Sequence, residues 1–305
     1  MNITILYGGT STEHKISIQT GLAIAEAIKD RYNLDMINLD GKIYNAPHLL
    51  LDTDLVFNAL HGGDGENGSI QSFLDLHHIP YTGSGAKACK IAMDKNITKL
   101  IAKSVGIPTP NWVLLKRNVN NGIQLQDNDS PKFSYPYVVK PADEGSTFGL
   151  TIVNEESELN DAISLAAEFS DEILIEEFIP GKELTVSILG NKPLPIIEII
   201  PSHKLYDYDC KYTEGMSEYV VPAELSDSIE RSLSEDALKI YKTIGCRHYA
   251  RADFRLNDDG QHYLLEINTL PGMTSTSLLP KAAKAAGLEF SDLIDTIIKI
   301  ASINK

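Results

Sequence analysis

The first ninety residues alternate short apolar runs with amphipathic stretches. The runs ITILYGG (3–9) and LVFNALHGG (55–63) end in glycines, and each is followed by a helical pattern, SIQTGLAIAEAI (17–28) and SIQSFLDLHH (69–78). Strands that alternate with helices in this way are typical of parallel sheets. We therefore expect a doubly wound parallel α/β domain over residues 1–90, with its ligand at the strand ends.

The rest of the chain predicts two further domains. Residues 91–180 combine helical and strand patterns and indicate a small α+β domain, whereas residues 181–305 are rich in predicted strands. Inside the second of these, the polar and tyrosine-rich segment 203–219 has no sustained hydrophobic period. We expect this segment to form a mobile lid over a binding site.

One helix has clear start and stop signals. Asp94 is its predicted N-cap and Gly106 ends it. The spacing predicts a buried apolar stripe made of Ile97, Leu100, Ile101 and Val105. A lysine at the start of such a helix, here Lys95, is usually a surface residue.

The segment RADFRLNDDGQHYLLEIN (251–268) predicts a β-hairpin. Its Asp259-Gly260 pair suits a two-residue type I′ turn. Counting back from that turn places the carboxylates of Asp253 and Glu266 directly opposite each other. A three-residue turn would instead shift the pairing and send side chains to the other face.

Two facing carboxylates repel each other unless something balances their charge. Arg251, which the same register places opposite Asn268, could be the counter-ion on a solvated face. The alternative is a metal ion, because alternation puts Leu264, Glu266 and Asn268 on one face and Asn268 adds a neutral oxygen. Oxygen-only ligand sets of this kind suit Mg²⁺ or Mn²⁺, and we favour the metal.

A phosphate site would complete the coordination of such a metal. Mg²⁺ held by few carboxylates usually takes substrate phosphates as further ligands. Lys140 ends the apolar run YVVK just before EGSTFG (144–149), a turn whose backbone N–H groups could hold phosphate oxygens. Glycine turns after strands mostly only redirect the chain, so the signal depends on the lysine and the carboxylate pair occurring together.

Composition narrows the range of partners. The chain of 305 residues has a formal net charge of −15 and no run rich in lysine and arginine, which argues against nucleic acid and anionic membranes. Its apolar runs are too short to span a bilayer and its N-terminus lacks signal-peptide features. Three cysteines without metal-ligand spacing fit a reducing cytosol, so we expect a cytoplasmic protein.

Several motifs together resemble the D-alanine–D-alanine ligases, an ATP-grasp family. The motifs occur in the family's order between about residues 3 and 300: YGGTSTEHKIS, HGGDGENGSIQ, YTGSG, MDK, VVKPADEGSTFG, LIEEFIPGKELTV, YDYDCKY, RADF and LLEINTLPGMTSTSL. One position departs from the pattern, since Asn67 stands where the family usually has an acid. The resemblance implies an ATP-grasp fold and the joining of two D-alanine molecules through a D-alanyl phosphate, for peptidoglycan synthesis.

The resemblance also implies a role for individual residues. The implied ATP contacts are phosphate binding by Lys95 and Lys140, adenine binding by Glu176 and the backbone near Ile179, and ribose binding by Glu183. The implied ligands of two Mg²⁺ or Mn²⁺ ions are Asp253, Glu266 and Asn268, the three residues that strand pairing also brings together.

The implied substrate contacts come from all three predicted domains. The first D-alanine is bound by Glu13 with His61 nearby, the second by Ser277 and the Leu278 N–H, and the oxyanion by Arg251 and the Gly272 N–H. A hydrogen-bonded group of Glu13, Ser146 and Tyr212 closes over the site, with Lys211 and Tyr212 on the lid.

Three alternatives remain open from sequence. The first is another ATP-grasp carboxylate–amine ligase. The second is an ester-forming D-alanine–D-lactate ligase, against which Tyr212 argues because some of those relatives carry phenylalanine there. The third is an ATP-binding regulatory module, which we would expect to lack some of Arg251, Asp253 and Glu266. The family also implies a homodimer.

Overall fold

A computed structural model describes residues 1–39, 47–117, 131–202 and 215–303 of the chain. In this part the chain forms three β-sheets with eight α-helices against them. None of the helices in these four ranges is long and apolar enough to cross a membrane.

The first sheet is parallel, as the alternating pattern predicts. Its strands are ordered β2-β1-β3, and both neighbours of β1 run parallel to it. The elements of this region are β1 (Asn2–Gly8), α1 (His14–Ile28), β2 (Asn33–Leu39), β3 (Leu55–Asn58) and α2 (Ser69–Leu76). The loops that follow β1 and β3 therefore leave the same edge of the sheet, which brings Glu13 and His61 together.

The second sheet is a four-stranded antiparallel sheet with one helix over its apolar face. Its elements are β4 (Trp112–Lys116), β5 (Tyr137–Pro141), β6 (Thr151–Val153), α5 (Glu156–Ala166) and β7 (Glu172–Glu177), with strand order β4-β7-β5-β6. Tyr137, Val139 and Ile175 pack against the helix. Strand alternation turns Lys140 and Glu176 to the opposite face, where they line a cavity.

The third sheet has six strands and forms the other wall of that cavity. Its strands are β8 (Lys182–Leu189), β9 (Lys192–Pro193), β10 (Ile197–Pro201), β11 (Ser217–Val220), β12 (Tyr249–Leu256) and β13 (His262–Asn268). Helix α6 (Asp227–Ile244) packs on it together with two earlier helices, α3 (Ala86–Met93) and α4 (Lys95–Ser104).

Core packing crosses the order of the chain. The last two helices are α7 (Leu278–Ala285) and α8 (Phe290–Ile303), and Ile294 and Ile298 of α8 share a core with Ile3 and Ile5 of β1. Helices α3 and α4 likewise pack with the third sheet. The division at residues 90 and 180 therefore stays a prediction about sequence segments, not a description of separate cores.

The hairpin has the predicted pairing but reaches it by a different route. Asp253 pairs with Glu266 and Arg251 with Asn268. The turn, however, is a three-residue turn: the Asn257 N–H donates to the Gln261 oxygen at 3.0 Å and Gly260 has φ +79°. A β-bulge at Leu265 then adds one residue to β13 and restores the register. The prediction of a type I′ turn was wrong by one residue, and the bulge cancels the error.

The bulge also changes which side chains share a face. Leu264 lies in the core with Ile267, whereas Leu265 lines the same cavity as Glu266. The expectation that Leu264 and Glu266 share one face was therefore wrong, because strict alternation fails at a bulge. The side chain of Glu266 still faces the cavity.

Helix α4 begins as predicted but buries the opposite face. Asp94 is its N-cap, and its carboxylate accepts from the Ile97 N–H at 2.9 Å. Half of the expected apolar stripe is exposed, namely Ile97 and Leu100, whereas Ile101 and Val105 pack against the core of the third sheet. Lys95 and Lys99 are buried instead. Each has an acidic partner inside the protein, Glu266 for Lys95 and Glu176 for Lys99.

Most of the predicted lid cannot be compared with the structure. Residues 203–214, which include Lys211 and Tyr212, lie outside the described residues. The last part of the predicted loop was wrong, since Ser217–Val220 is strand β11 and pairs with β10.

A buried histidine joins the end of the first region to the third sheet. His248 is 3 % exposed and its Nδ1 accepts from the Gly83 N–H at 3.0 Å. Burial, and then the neighbouring Arg247, lowers the pKa of His248 to about 4. The folded protein therefore holds this imidazole neutral at pH values at which an unfolded chain would protonate it.

We expect His248 to make the fold sensitive to acid. Because its pKa is lowered on folding, the unfolded state binds the extra proton as pH falls below about 6.5, and stability drops by about 2 kcal/mol between pH 7 and pH 5. His248→Asn keeps a hydrogen-bond acceptor and tolerates the φ of +66°. Urea unfolding should show a shallower pH dependence for this variant, whereas exposed His48→Asn should match the parent protein. An unchanged slope would count against the assignment.

Candidate active site

Two adjoining cavities occupy the centre of the molecule. The first, here called the sheet cavity, lies between the second and third sheets, and the second, the loop cavity, lies among the loops of the first region and the segment after β13. Five residues line both cavities: Lys95, Gly145, Ser146, Arg251 and Glu266. Among the described residues, these five mark the place where a ligand in one cavity can meet a ligand in the other.

A buried charge cluster lies in the wall of the sheet cavity. The carboxylate of Glu176 is 3.0 Å from Lys140 Nζ through Oε1 and 2.7 Å from Lys99 Nζ through Oε2. Burial favours the protonated carboxyl, but the two lysines outweigh it and hold the pKa of Glu176 below its ordinary value. Glu176 is therefore an anion held by two cations. Sequence reasoning found Lys140 and Glu176 but missed Lys99.

Lys95 extends the line of positive charge toward the second cavity. It is the first residue of α4, and its Nζ donates to the Glu144 oxygen at 2.5 Å and lies 3.4 Å from Glu266 Oε2. Lys95 is 7% exposed and thus not the surface residue that a lysine at a helix start usually is, because Glu266 and the Glu144 carbonyl lie next to its ammonium. Lys95 and Lys140 thus line one cavity, as a polyphosphate would require.

The facing carboxylates are each accompanied by a cation. Arg251 binds Asp253 through two parallel bonds of 2.9 and 2.7 Å, and Thr185 Oγ1 donates to Asp253 Oδ1 at 2.6 Å. Glu266 has Lys95 beside it. Mutual repulsion is therefore offset in the protein itself. The counter-ion interpretation is confirmed for Asp253, and it does not exclude a metal.

The donor atoms here fit a hard divalent cation. Asp253 and Glu266 supply carboxylate oxygens across the strands, and Asn268 supplies an amide oxygen that accepts from the Leu270 N–H at 2.8 Å and has a second lone pair. Among the described residues there is no cluster of three or more His, Cys, Asp or Glu side chains suited to a metal. A Mg²⁺ ion here would therefore depend on ligand oxygens as well.

A contact across 133 residues joins the glycine turn to the first region. Ser146 Oγ donates to Glu13 Oε1, and both residues line the loop cavity. Ser146 and its neighbour Thr147 have φ angles of +49° and +65°, which non-glycine residues rarely adopt. Such backbone strain often marks a ligand-binding loop. Glu13 and Ser146 are thus brought together as the resemblance implies.

His61 sits at the floor of the loop cavity in a network of its own. Its Nε2 lies 3.0 Å from Thr20 Oγ1 and its Nδ1 lies 3.4 Å from Glu66 Oε1. Sequence reasoning missed Glu66, although the HGGDGENG motif contains it. The neighbouring Asn67 accepts from the Ser69 N–H at 3.0 Å, so this departure from the family pattern still supports the start of α2.

The segment after β13 presents backbone and hydroxyl donors to the loop cavity. Ser277 is the N-cap of α7, and its Oγ accepts from the Thr274 N–H at 3.1 Å. A Cβ at Gly272 would come within 2.8 Å of Ser277 Oγ, so any larger residue there would displace this hydroxyl. Gly272, Ser277 and Leu278 line the cavity together, with the helix N-terminus available to an anion.

The far end of the sheet cavity is organised by an arginine that sequence reasoning missed. Arg255 donates to the Ile179 oxygen at 3.0 Å and to the Gly181 oxygen at 2.7 Å, and lies 3.4 Å from Glu183. Burial lowers the pKa of Arg255. Glu183 and Ile179 therefore line one end of the cavity in a fixed arrangement.

The predicted site residues converge. Every one of them that falls within the described residues lines one of the two cavities; Lys211 and Tyr212 fall outside. The fold is that of an ATP-grasp enzyme, in which a cavity lies between two antiparallel sheets.

Comparison with known proteins identifies the family. A family model described as D-ala D-ala ligase C-terminus matches residues 101–299, and one described as D-ala D-ala ligase N-terminus matches residues 41–84. The chain belongs to the D-alanine–D-alanine ligase family.

Similar proteins span almost the whole chain. It is 43% identical over 304 residues to a D-alanine–D-alanine ligase of Syntrophotalea carbinolica, covering 99% of this chain and 97% of the relative. The crystal structure of D-alanine–D-alanine ligase from Bacillus anthracis complexed with ATP has a TM-score of 0.88 at 36% identity, covering 99% and 97% of the two chains. VanG D-Ala:D-Ser ligase from Enterococcus faecalis has a TM-score of 0.83 at 30% identity, covering 98% and 99%.

Removing either facing carboxylate should weaken metal binding without unfolding the protein. Asp253→Asn and Glu266→Gln each lose a charged oxygen donor, so we expect Mn²⁺ affinity in the presence of ATP to fall by about tenfold or more. Because Arg251 and Lys95 already offset the repulsion, little gain in stability is expected. Electron paramagnetic resonance of bound Mn²⁺ measures the affinity.

The matched control for this experiment is Asp258→Asn, an exposed acid in the turn of the same hairpin. It should bind Mn²⁺ like the parent protein. Normal Mn²⁺ binding by both site variants would show that these residues are not metal ligands.

Proposed function

We propose that the protein joins two D-alanine molecules with ATP to give D-alanyl-D-alanine, ADP and phosphate. The observation that carries the proposal is the meeting of the two cavities at Lys95, Gly145, Ser146, Arg251 and Glu266. A ligase of this kind must bring a nucleotide phosphate to a substrate carboxylate, and this junction is the place at which ligands in the two cavities can touch. The family membership supports the same reaction.

In this proposal ATP occupies the sheet cavity. The adenine lies at the end with Glu176 and Ile179, Glu183 binds the ribose, and Lys95 and Lys140 neutralise the phosphates. The positions of all five in the wall of one cavity support the assignment. The proposed ligands Asp253, Glu266 and Asn268 hold Mg²⁺, whose chemical contribution when bound is to neutralise charge on the transferring phosphoryl group.

The first D-alanine lies in the loop cavity with its ammonium at Glu13. The Ser146 hydroxyl holds the Glu13 carboxylate in place. The His61 ring is held by Thr20 and Glu66. With its ammonium at Glu13, the substrate has its carboxylate directed toward the junction with the sheet cavity. Its oxygen attacks the γ-phosphate, the bond to the β-phosphate oxygen breaks, and ADP and a D-alanyl phosphate result.

The second D-alanine is bound at the start of α7. Its carboxylate takes the Ser277 hydroxyl and the Leu278 N–H, supported by the positive end of the helix. Its amine attacks the acyl carbon and phosphate leaves. The Arg251 guanidinium and the Gly272 N–H stabilise the oxyanion that forms. Acyl phosphates hydrolyse readily, so this chemistry requires exclusion of water, which we assign to the lid that carries Lys211 and Tyr212.

We further propose a cytoplasmic homodimer acting in peptidoglycan synthesis. The family resemblance supports all three attributes, and the composition supports the location. Light scattering of the purified protein decides the oligomeric state, with twice the chain mass of 33.5 kDa expected.

The reaction is tested by ADP release and product identity together. With ATP and Mg²⁺, we expect ADP release to require D-alanine and to be absent with L-alanine. Mass spectrometry should find D-alanyl-D-alanine, and an excess of D-serine or D-lactate should give little mixed product. If the mixed product predominates, the second substrate is D-serine or D-lactate and not D-alanine. ADP release dependent on an unrelated acid would indicate another ATP-grasp ligase, and no release would support a binding module.

Ser277→Ala should impair the second substrate selectively. The variant loses one hydroxyl donor to the carboxylate, so we expect the KM for the second D-alanine to rise by about tenfold, with the KM for ATP nearly unchanged. Ser226, the N-cap of α6, is a matched control because it also begins a helix without a side-chain cap bond. Ser226→Ala should behave like the parent protein. An equal rise in the KM for ATP would argue for general damage to the site.

A further inference from the structure

Lys99 is a fully buried lysine with a defined set of partners. It is 0% exposed, and its Nζ donates to Thr109 Oγ1 at 2.7 Å and to the Pro110 oxygen at 3.2 Å, besides its ion pair of 2.7 Å with Glu176. Burying an ammonium is costly unless its hydrogen bonds and charge are met, and here three acceptors meet them. Lys99 therefore stays in place as a cation without reaching the cavity.

The cluster of Lys99, Glu176 and Lys140 carries a net charge of +1. Glu176 is 2% exposed and lies between the two lysines, and Lys140 lines the sheet cavity. If Lys99 were absent, Glu176 and Lys140 would form a neutral pair. This part of the cavity wall would then offer an anion hydrogen bonds but no net charge.

We propose that Lys99 is a positioning residue for ATP, which neutralises Glu176 so that Lys140 keeps its positive charge for the polyphosphate. Lys99 acts through Glu176 and does not touch the nucleotide. In a buried cluster, where the effective dielectric is low, one unit of charge changes anion affinity strongly. The inference rests on the proposed function only in that ATP occupies the sheet cavity.

Proton loss from Lys99 gives the proposal a signature in pH. The charged groups that act on it are Glu176 from β7, Lys140 from β5 and Lys103 from its own helix. Burial lowers the pKa of Lys99 to about 8, Glu176 acts in the opposite direction and Lys140 adds to the lowering. As pH rises through about 8, the cluster loses its net charge and nucleotide binding should weaken.

The test is direct binding of ADP with constant excess Mg²⁺, measured by calorimetry. At pH 7.5, Lys99→Met should bind ADP about tenfold more weakly than the parent protein. The double variant Lys99→Met/Glu176→Gln is compared with Lys99→Met, because Glu176 is also a proposed adenine contact. Since Lys140 alone again gives +1, the double variant should bind ADP more tightly than Lys99→Met. Neutralising Glu176 also removes a buried unpaired charge and so restores stability. ADP affinity is therefore compared only between samples that circular dichroism shows to be fully folded, where a purely structural lysine would give no difference.

The matched control is Lys103→Met on the same helix. Lys103 lies over the same Trp112 ring as Lys99, at 4.7 Å against 5.2 Å from the ring centroid, but outside the buried cluster. This variant should bind ADP like the parent protein. Equal weakening in Lys99→Met and Lys103→Met would overturn the proposal, because the effect would then be one of general charge.

A pH series on the unmodified protein decides the question even where Lys99→Met does not fold. Between pH 7.5 and 9 we expect ADP binding to weaken by about fourfold, and to stay nearly constant in the double variant. A flat profile for the unmodified protein would overturn the proposal. ADP binding needs no D-alanine, so this result can be interpreted even if the protein does not ligate D-alanine. Conversely, an ADP affinity that does not depend on the charge of Lys99 would leave the proposed ligation reaction unaffected.

Discussion

The site depends on the opposition of Asp253 and Glu266 across the hairpin of β12 and β13. The negative charges of two directly paired carboxylates must be balanced. Arg251 balances Asp253 and Lys95 balances Glu266. Lys95 begins α4, so the compensation fixes where this helix starts relative to the third sheet. The same two cations line both cavities. One electrostatic requirement therefore joins the hairpin, the helix and the two ligand spaces.

Sequence reasoning predicted the elements well and their details unevenly. The parallel first sheet and the pairing of Asp253 with Glu266 are confirmed, the pairing through two deviations that cancel. A three-residue turn shifts the register one way and the bulge at Leu265 shifts it back. Hydrophobic periodicity carries no signal for a bulge, which is why the face of Leu264 was wrong. The register was constrained from both ends, because Leu264 and Ile267 must both reach the core.

Buried charge was the other limit of prediction. Hydrophobic periodicity assigned Ile97 and Leu100 to the buried face of α4. It gave no signal for Lys99. The structure reverses this because Glu176 lies on a distant strand, and its charge offsets part of the cost of burying Lys99. Arg255 was missed for the same reason, because its partners Ile179 and Glu183 are distant in sequence. Glu66 was missed although its partner His61 lies in the same motif. Pair interactions across sheets need the fold before they can be seen.

The packing of α8 has a consequence for how the chain reaches its native state. Ile294 and Ile298 complete the core that Ile3 and Ile5 begin, so the first sheet has no full apolar cover until the final helix exists. At ribosomal rates of about 5–20 residues per second, that interval is on the order of tens of seconds. During it the early strands carry an uncovered apolar face, which is where chaperone binding and aggregation compete with folding. The synthesis of α8 thus determines when β1 becomes stable, and with it the loops that carry Glu13 and His61.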